Sequence, residues 1–197
     1  GMAYAIAKVQ PSGGRGSWDM GTQVSLTGMV SAAPYAHMRV FEAGRVSTVL
    51  LGCETKCGAR ERLEAISFEA GGATVHGSML ERDSYRMIAT ASGADWIEPQ
   101  AIDALPDPVI TDHGEAQLTG EILDTKCWFG AMRPNEGLSH KACATLCIAS
   151  GVPPYLGVRD SRGRERALMI TGPDGEALVQ PILEYVAEPI DAVGRII

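Results

Sequence analysis

This 197-residue sequence lacks any excess of positive charge, with 17 lysines and arginines against 24 aspartates and glutamates and a net charge of −7. Neutralising nucleic-acid phosphates requires a basic face, so general binding of DNA or RNA is not expected. The sequence also lacks a run of the roughly 18–20 apolar residues that a membrane-spanning helix requires. The composition, 45% hydrophobic and 21% charged, is typical of a folded chain.

Several familiar catalytic motifs are missing as well. The sequence has no glycine-rich phosphate-binding loop, no GxSxG nucleophile elbow and no recognisable pair of catalytic carboxylates at helical spacing. A conventional hydrolase or nucleotide-binding enzyme is therefore disfavoured, and a non-enzymatic module is the favoured prediction. Its expected partner is an unidentified protein or small molecule.

The start of the chain shows no secretory signal, because no charged segment followed by an apolar one comes after Met2. Gly1 stands ahead of Met2 and is interpreted as the remnant of a cleaved tag. If Met2 is the native start, the cytoplasm is the expected compartment. If the native chain begins earlier, a periplasmic or membrane-associated location is the alternative.

Two parts of the sequence begin and end alike, which predicts an internal duplication. Residues 23–30 and 116–123 alternate around a central glycine, and residues 74–80 and 192–197 each close with apolar residues bracketing one glycine. A glycine within a strand is typical of a bulge or bend in a coiled sheet. The order in the first part, three strands, a helix near residues 59–66 and two more strands, is that of an OB-type barrel.

We therefore predict a mainly β protein made of tandem OB-like five-stranded barrels. The expected parts are a lead-in at residues 1–21, a first barrel at 22–92, a linker at 93–114, and a second barrel at 115–197 with a Cys/His insertion at 125–154. The second barrel lacks a fifth strand at the end of the chain. Residues 3–9 have the alternation to supply it, which would cover an unpaired sheet edge, and a terminal tail is the equal alternative.

One segment, between a predicted strand and a Pro-Pro stop, holds three of the five cysteines and one of the four histidines. His140, Cys143 and Cys147 are spaced i, i+3 and i+7, which places them on one face of a helix. Ser139 is the expected N-cap of that helix. Cys127 ends the preceding strand, and a loop containing proline and glycine can fold it back onto the helix.

Three interpretations of this group stay open from the sequence. Cys127, His140, Cys143 and Cys147 form the Cys3His set that suits tetrahedral zinc, with Asp124 as an orienting carboxylate or a strand-end cap. In an oxidising compartment a disulfide from Cys127 to Cys143 or Cys147 would replace the metal. The third interpretation is redox or nucleophilic chemistry at Cys143 or Cys127, because a helix N-terminus and a charged imidazole favour the thiolate form.

A second cysteine pair, Cys53 and Cys57, lies where the third predicted strand meets the first helix. Because the two are four residues apart and have no neighbouring histidine, a disulfide or an inert pair is favoured over a metal site. Since five is an odd number, at least one cysteine must stay outside intrachain disulfides.

The cysteine motifs resemble those of an uncharacterised family of bacterial proteins. The matching motifs are GxxxDxKC from Gly120 to Cys127, HxxCAxxC from His140 to Cys147, and Gly-Val-Pro-Pro ending at Pro154. Shorter similarities at Pro34-Tyr35 and from Leu80 to Met87 extend the resemblance over most of the chain. The resemblance implies no known activity, and it implies that some relatives are exported or membrane-associated. The CETKC pair at Cys53 and Cys57 is not part of the family pattern.

Overall fold

The computed structural model describes residues 14–66 and 70–197. Within these ranges the protein is mainly β, with ten strands arranged in two sheets and a few short helices. The strand expected at residues 3–9 lies outside the described residues.

The first sheet has a cyclic pairing pattern. Its strands in the described chain are β1 (Ser17–Ser31), β2 (His37–Glu42), β3 (Arg45–Cys53), β4 (Ala70–Arg82), β5 (Tyr85–Thr90) and β6 (Ile97–Pro99). The order is β1-β2-β3-β5-β4-β6, and β1 also pairs with β4. Strands β3 and β5 are parallel, and the other neighbours are antiparallel. Helix α1 (Arg60–Ala65) connects β3 to β4, at the predicted helix position.

The core of the first sheet is built from residues of alternating strand positions. Met38 and Val40 on β2 point the same way because successive side chains of a strand face opposite sides. They pack with Val75 of β4, with Leu63 of α1 and with Trp96. The alternation visible in the sequence therefore corresponds to the buried face of this sheet.

Two segments expected to be irregular contain strand residues. The predicted linker, residues 93–114, includes β6, whose Ile97 is buried against β4. The predicted lead-in, residues 1–21, includes the start of β1, where Trp18 donates from its indole nitrogen to Ser78 Oγ at 2.8 Å. Neither segment has sustained alternation, so pairing with β4 rather than local pattern determines these strands.

The second sheet has four antiparallel strands in the part of the chain that the structure describes. They are β7 (Gly114–Asp124), β8 (Pro154–Arg159), β9 (Glu165–Met169) and β10 (Pro189–Ile196), in the order β10-β7-β8-β9. Each overlaps a predicted strand. The fifth strand expected for a second barrel is not among them, and the segment expected to supply it lies outside the described residues.

Short helices fill the expected insertion at residues 125–154. They are α2 (Thr125–Phe129), a 3-10 turn (Leu138–His140) and α3 (Lys141–Ala149). Outside the insertion, a 3-10 helix (Gln180–Tyr185) precedes β10. Of the helices in the described ranges, none is long and apolar enough to cross a membrane.

An aromatic cluster on α2 joins the two sheets. Trp128 and Phe129 are buried, and the Phe129 ring centroid lies 5.6 Å from that of Tyr85 on β5 and 5.8 Å from that of Tyr155 on β8. Arg82 of β4 places its guanidinium 4.1 Å from the Trp128 ring centroid and donates to the Trp128 carbonyl at 3.0 Å. Helix α2 is thereby anchored to the first sheet as well as to the second.

The backbone segment after β3 also meets the segment after α3 directly, at Gly58. Its N–H donates to the Ser150 carbonyl at 2.8 Å, and a Cβ added at position 58 would lie 2.1 Å from the Gly151 carbonyl oxygen. We expect Gly58→Ala to lower the free energy of unfolding by about 1–3 kcal/mol, since the two segments must separate. Urea denaturation measures this loss.

Gly194→Ala is the matched control, because an added Cβ there meets no atom within 4 Å. Its free energy of unfolding should stay within about 0.5 kcal/mol of the parent protein. Equal stability of the two variants would contradict the close approach at Gly58.

Candidate functional site

Asp124, the last residue of β7, connects the parts of the site and is fully buried. Its Oδ1 accepts a hydrogen bond from the Cys127 backbone N–H at 2.8 Å and so caps α2. Its Oδ2 lies 2.9 Å from Nε2 of His140. A carboxylate is favourable at a helix N-terminus, where the first N–H groups have no intrahelical partner. Asp124 therefore starts one helix and holds the imidazole that precedes the next.

Cys127 lies within helix α2, not at a strand end as expected, because the Asp124 cap starts a helix directly after β7. Its Sγ is 4.0 Å from that of Cys143 on α3. It also packs against Cys147, one turn further along α3. All three are free thiols, so the alternative of a disulfide from Cys127 to Cys143 or Cys147 is not formed in the structure.

Helix α3 begins later than expected. Leu138–His140 is a single 3-10 turn, α3 starts at Lys141, and His140 occupies the N-cap position. Ser139 is therefore not the N-cap, because the turn from Gly137 places the next residue there. His140 is buried, and its imidazole is held by Asp124.

Four side chains offer ligand atoms that all lie within 4.8 Å of one another, namely those of Asp124, Cys127, His140 and Cys143. The first three are buried and Cys143 is half-buried. Carboxylate, thiolate and imidazole are ligands of transition metals such as zinc, so this group could hold a metal ion. Cys147, expected as the fourth ligand, lies outside this group although it is beside Cys127, and Asp124 is included instead.

Two lysine side chains bring positive charge to the sulfur atoms. Lys56 places its Nζ 2.6 Å from Cys143 Sγ, and Lys126 donates from its buried Nζ to the backbone carbonyls of Cys53 and Thr55. The sequence carries no signal for Lys56 at this site, because it is 87 residues from Cys143 and lies in the loop that follows β3 of the first sheet. Only the packing of the two sheets brings it to the site, and no local spacing signals this.

Cys53 and Cys57 lie at disulfide distance, with Cα atoms 5.4 Å apart. Thr55 Oγ1 is 3.2 Å from the sulfur of Cys53 and 3.5 Å from that of Cys57. The bridged segment, called here the 53–57 loop, follows β3 of the first sheet and carries Lys56. It therefore lies against Cys143 of helix α3.

The thiols differ in how readily they ionise. A hydrogen bond between Cys127 and Cys147, together with burial, raises the pKa of the Cys127 thiol, and the same bond lowers the pKa of the Cys147 thiol. Within this pair Cys127 is therefore the proton donor, and Cys147 ionises before Cys127. Burial lowers the pKa of Lys126, whereas the hydrogen bond to Cys143 raises the pKa of Lys56. Because metal ligands must be deprotonated, a metal ion that binds here displaces the shared proton.

Comparisons of this chain with models of protein families, with curated proteins and with solved structures found no match. The bacterial family that the cysteine motifs resemble is therefore not shown by these comparisons. The site offers its own evidence, a buried carboxylate, an imidazole and thiols drawn together from β7, α2 and the start of α3.

Proposed function

We propose that this chain is an accessory metal-binding module that holds a zinc ion beside its second sheet. The observation that supports it is the convergence of Asp124, Cys127, His140 and Cys143 to within 4.8 Å of one another. Sulfur and imidazole donors suit zinc, whereas magnesium and calcium prefer sites made of oxygen. No catalytic step is included in the proposal.

Cys127, His140 and Cys143 are the ligands common to the sequence pattern and to the geometry. We assign Cys147 as the fourth ligand and Asp124 as the carboxylate that orients His140. Nε2 of His140 already faces Asp124 Oδ2 at 2.9 Å, which leaves Nδ1 for the ion, and a histidine ligand commonly donates its other N–H to a carboxylate. Direct ligation by Asp124 is the alternative.

Elemental analysis and a free-thiol count on one sample test the proposal. Protein purified under reducing conditions should carry stoichiometric zinc, and Cys127→Ser and His140→Ala should each lose most of it, because each removes a donor atom. His113→Ala is the control, since His113 is exposed and outside the site. Metal-free protein with its three thiols intact would overturn the proposal.

Cobalt substitution separates the two assignments of the fourth ligand. The sulfur-to-metal charge-transfer absorption of Co²⁺ grows with the number of thiolate ligands. If Cys147 is a ligand, Cys147→Ser should lower that absorption by about a third, from three thiolates to two. Asp124→Asn should leave the absorption in place and weaken metal affinity about 10–100-fold. Unchanged absorption in Cys147→Ser would assign the position to Asp124.

We further propose that the first sheet is an OB-like barrel and the second a related copy. The cyclic order β1-β2-β3-β5-β4, with α1 between β3 and β4, supports the first assignment. Strand β9, a short helix and strand β10 repeat part of that order in the second. The proposed units are residues 22–92 and 115–197, joined by 93–114. The Cys/His segment at 125–154 then belongs to only one of two related units.

Thiol chemistry at Cys143 is the second candidate function. One contact favours it, the Lys56 ammonium 2.6 Å from the Cys143 sulfur, because a neighbouring cation stabilises the nucleophilic thiolate. In metal-free protein, alkylation of Cys143 that stays fast below neutral pH would support this candidate. A profile like that of an ordinary exposed thiol would remove it.

A further inference from the structure

We propose that the 53–57 loop is a redox-controlled cover over Cys143, closed while Cys53 and Cys57 form a disulfide and opened when that bond is reduced. This rests on the proposed metal site, since Cys143 is one of its ligands. It adds a regulation, in which a disulfide of the first sheet controls entry and release of an ion bound beside the second.

The loop covers the most accessible part of the site. Cys127 and Cys147 are only 7% and 1% exposed, whereas Cys143 is half-buried. Lys56 of the loop donates a hydrogen bond from its Nζ to the Cys143 sulfur at 2.6 Å. An ion or a reagent that approaches Cys143 from the side of the loop therefore meets Lys56.

Both ends of the loop are held by the helices that carry the thiols. Lys126 of α2 donates to the carbonyls of Cys53 and Thr55, and its ammonium lies 4.9 Å from the Trp18 ring centroid. Beyond the loop, Gly58 donates to the Ser150 carbonyl at the end of α3. The loop thus rests on α2 at its start and on α3 at its end.

The disulfide holds the loop in the shape that these contacts require. One ammonium, that of Lys126, can bind the carbonyls of residues 53 and 55 together only while the loop is tightly turned. Cross-linking the ends of a short segment removes most of its alternative conformations, and cleavage restores them. A dithiol reductant supplies the two electrons and two protons. Cys53 and Cys57 become thiols while the reductant becomes a disulfide.

The test compares a small and a bulky thiol reagent on metal-free protein, with peptide mapping to identify modified Cys143. Both reagents need the same thiolate, so the ratio of their rates reports access and not ionisation. In the oxidised protein the bulky reagent should lag by about tenfold or more, because it must wait for local opening of the loop. After dithiol treatment, and in the Cys53→Ser/Cys57→Ser double variant, the two rates should converge.

Glu54→Ala is the matched control within the same loop, since Glu54 accepts a hydrogen bond from Ser92, away from the thiols. Its rate ratio should equal that of the oxidised parent protein. A ratio for Cys143 that reduction does not change would overturn the proposal. So would an equal acceleration at buried Cys127 and Cys147, which would show general unfolding.

A second measurement uses the zinc-loaded protein and a chromophoric chelator. Reduction should accelerate zinc release by about tenfold or more if release requires the same local opening. If the protein carries stoichiometric zinc and releases it at the same rate before and after reduction, the proposed redox control is wrong. Absence of zinc would contradict only the proposed function, because the alkylation test needs no metal.

Discussion

Asp124→Ala is expected to lose most of its zinc on purification and to lower the free energy of unfolding of the metal-free protein by about 3–5 kcal/mol. The carboxylate is fully buried and serves both the N-terminus of α2 and the imidazole of His140. Its removal leaves the Cys127 N–H without its cap and the buried His140 without its partner, and unpaired buried polar groups are costly. Chemical denaturation and elemental analysis measure the two effects.

Two further variants show how much of that loss comes from the cap and how much from removing any carboxylate. Asp124→Asn keeps a side chain that can cap a helix, so its loss of stability should be clearly smaller than that of Asp124→Ala. Asp191→Ala removes an exposed strand carboxylate that accepts from Thr119, and its stability should change by no more than about 1 kcal/mol. If Asp124→Ala were as stable as Asp191→Ala, the structural role of Asp124 would be wrong.

Phe129→Ala should cost about 3–5 kcal/mol in the free energy of unfolding, the usual range for a buried phenylalanine. The ring is 1% exposed and lies between Tyr85 of the first sheet and Tyr155 of the second. The cavity would lie at the joint of the two sheets, beneath the helix that carries Cys127. Zinc affinity should fall as well, and isothermal titration measures that loss.

Phe41→Ala is the control of matched chemistry, because Phe41 on β2 is 60% exposed. We expect it to change stability by less than about 1 kcal/mol and to leave zinc affinity intact. A loss below about 1 kcal/mol for Phe129→Ala would show that the cavity collapses and that the aromatic cluster does not hold the sheets together.

Strand positions were largely predictable from the sequence, because alternation such as that over residues 37–41 reflects burial of one sheet face. The grouping of His140, Cys143 and Cys127 was predictable too, from helical spacing and a preceding loop. The start of α2 was missed although it carries a signal. Asp124 is a typical N-cap residue, and an N-cap at this position favours the start of a helix over a longer strand.

Other features of the site have no local signal. Lys56 reaches Cys143 only because the two sheets dock, and the docking depends on Gly58 against Gly151 and on the aromatic side chains of α2. Strand β6 also has no local signal, because a strand of three residues is too short to show an alternating pattern. What the sequence could not show is how one half of the chain lies on the other.

Helix α2 is only five residues long, so Cys127 and the neighbouring rings of Trp128 and Phe129 must move together. Binding of the proposed ion and docking of the sheets would therefore be linked equilibria. An ion present at 100 times its dissociation constant stabilises the form that binds it by about 2.7 kcal/mol. If only the docked form presents the complete ligand set, that free energy favours the docked pair of sheets, and a chelator would loosen the joint between them.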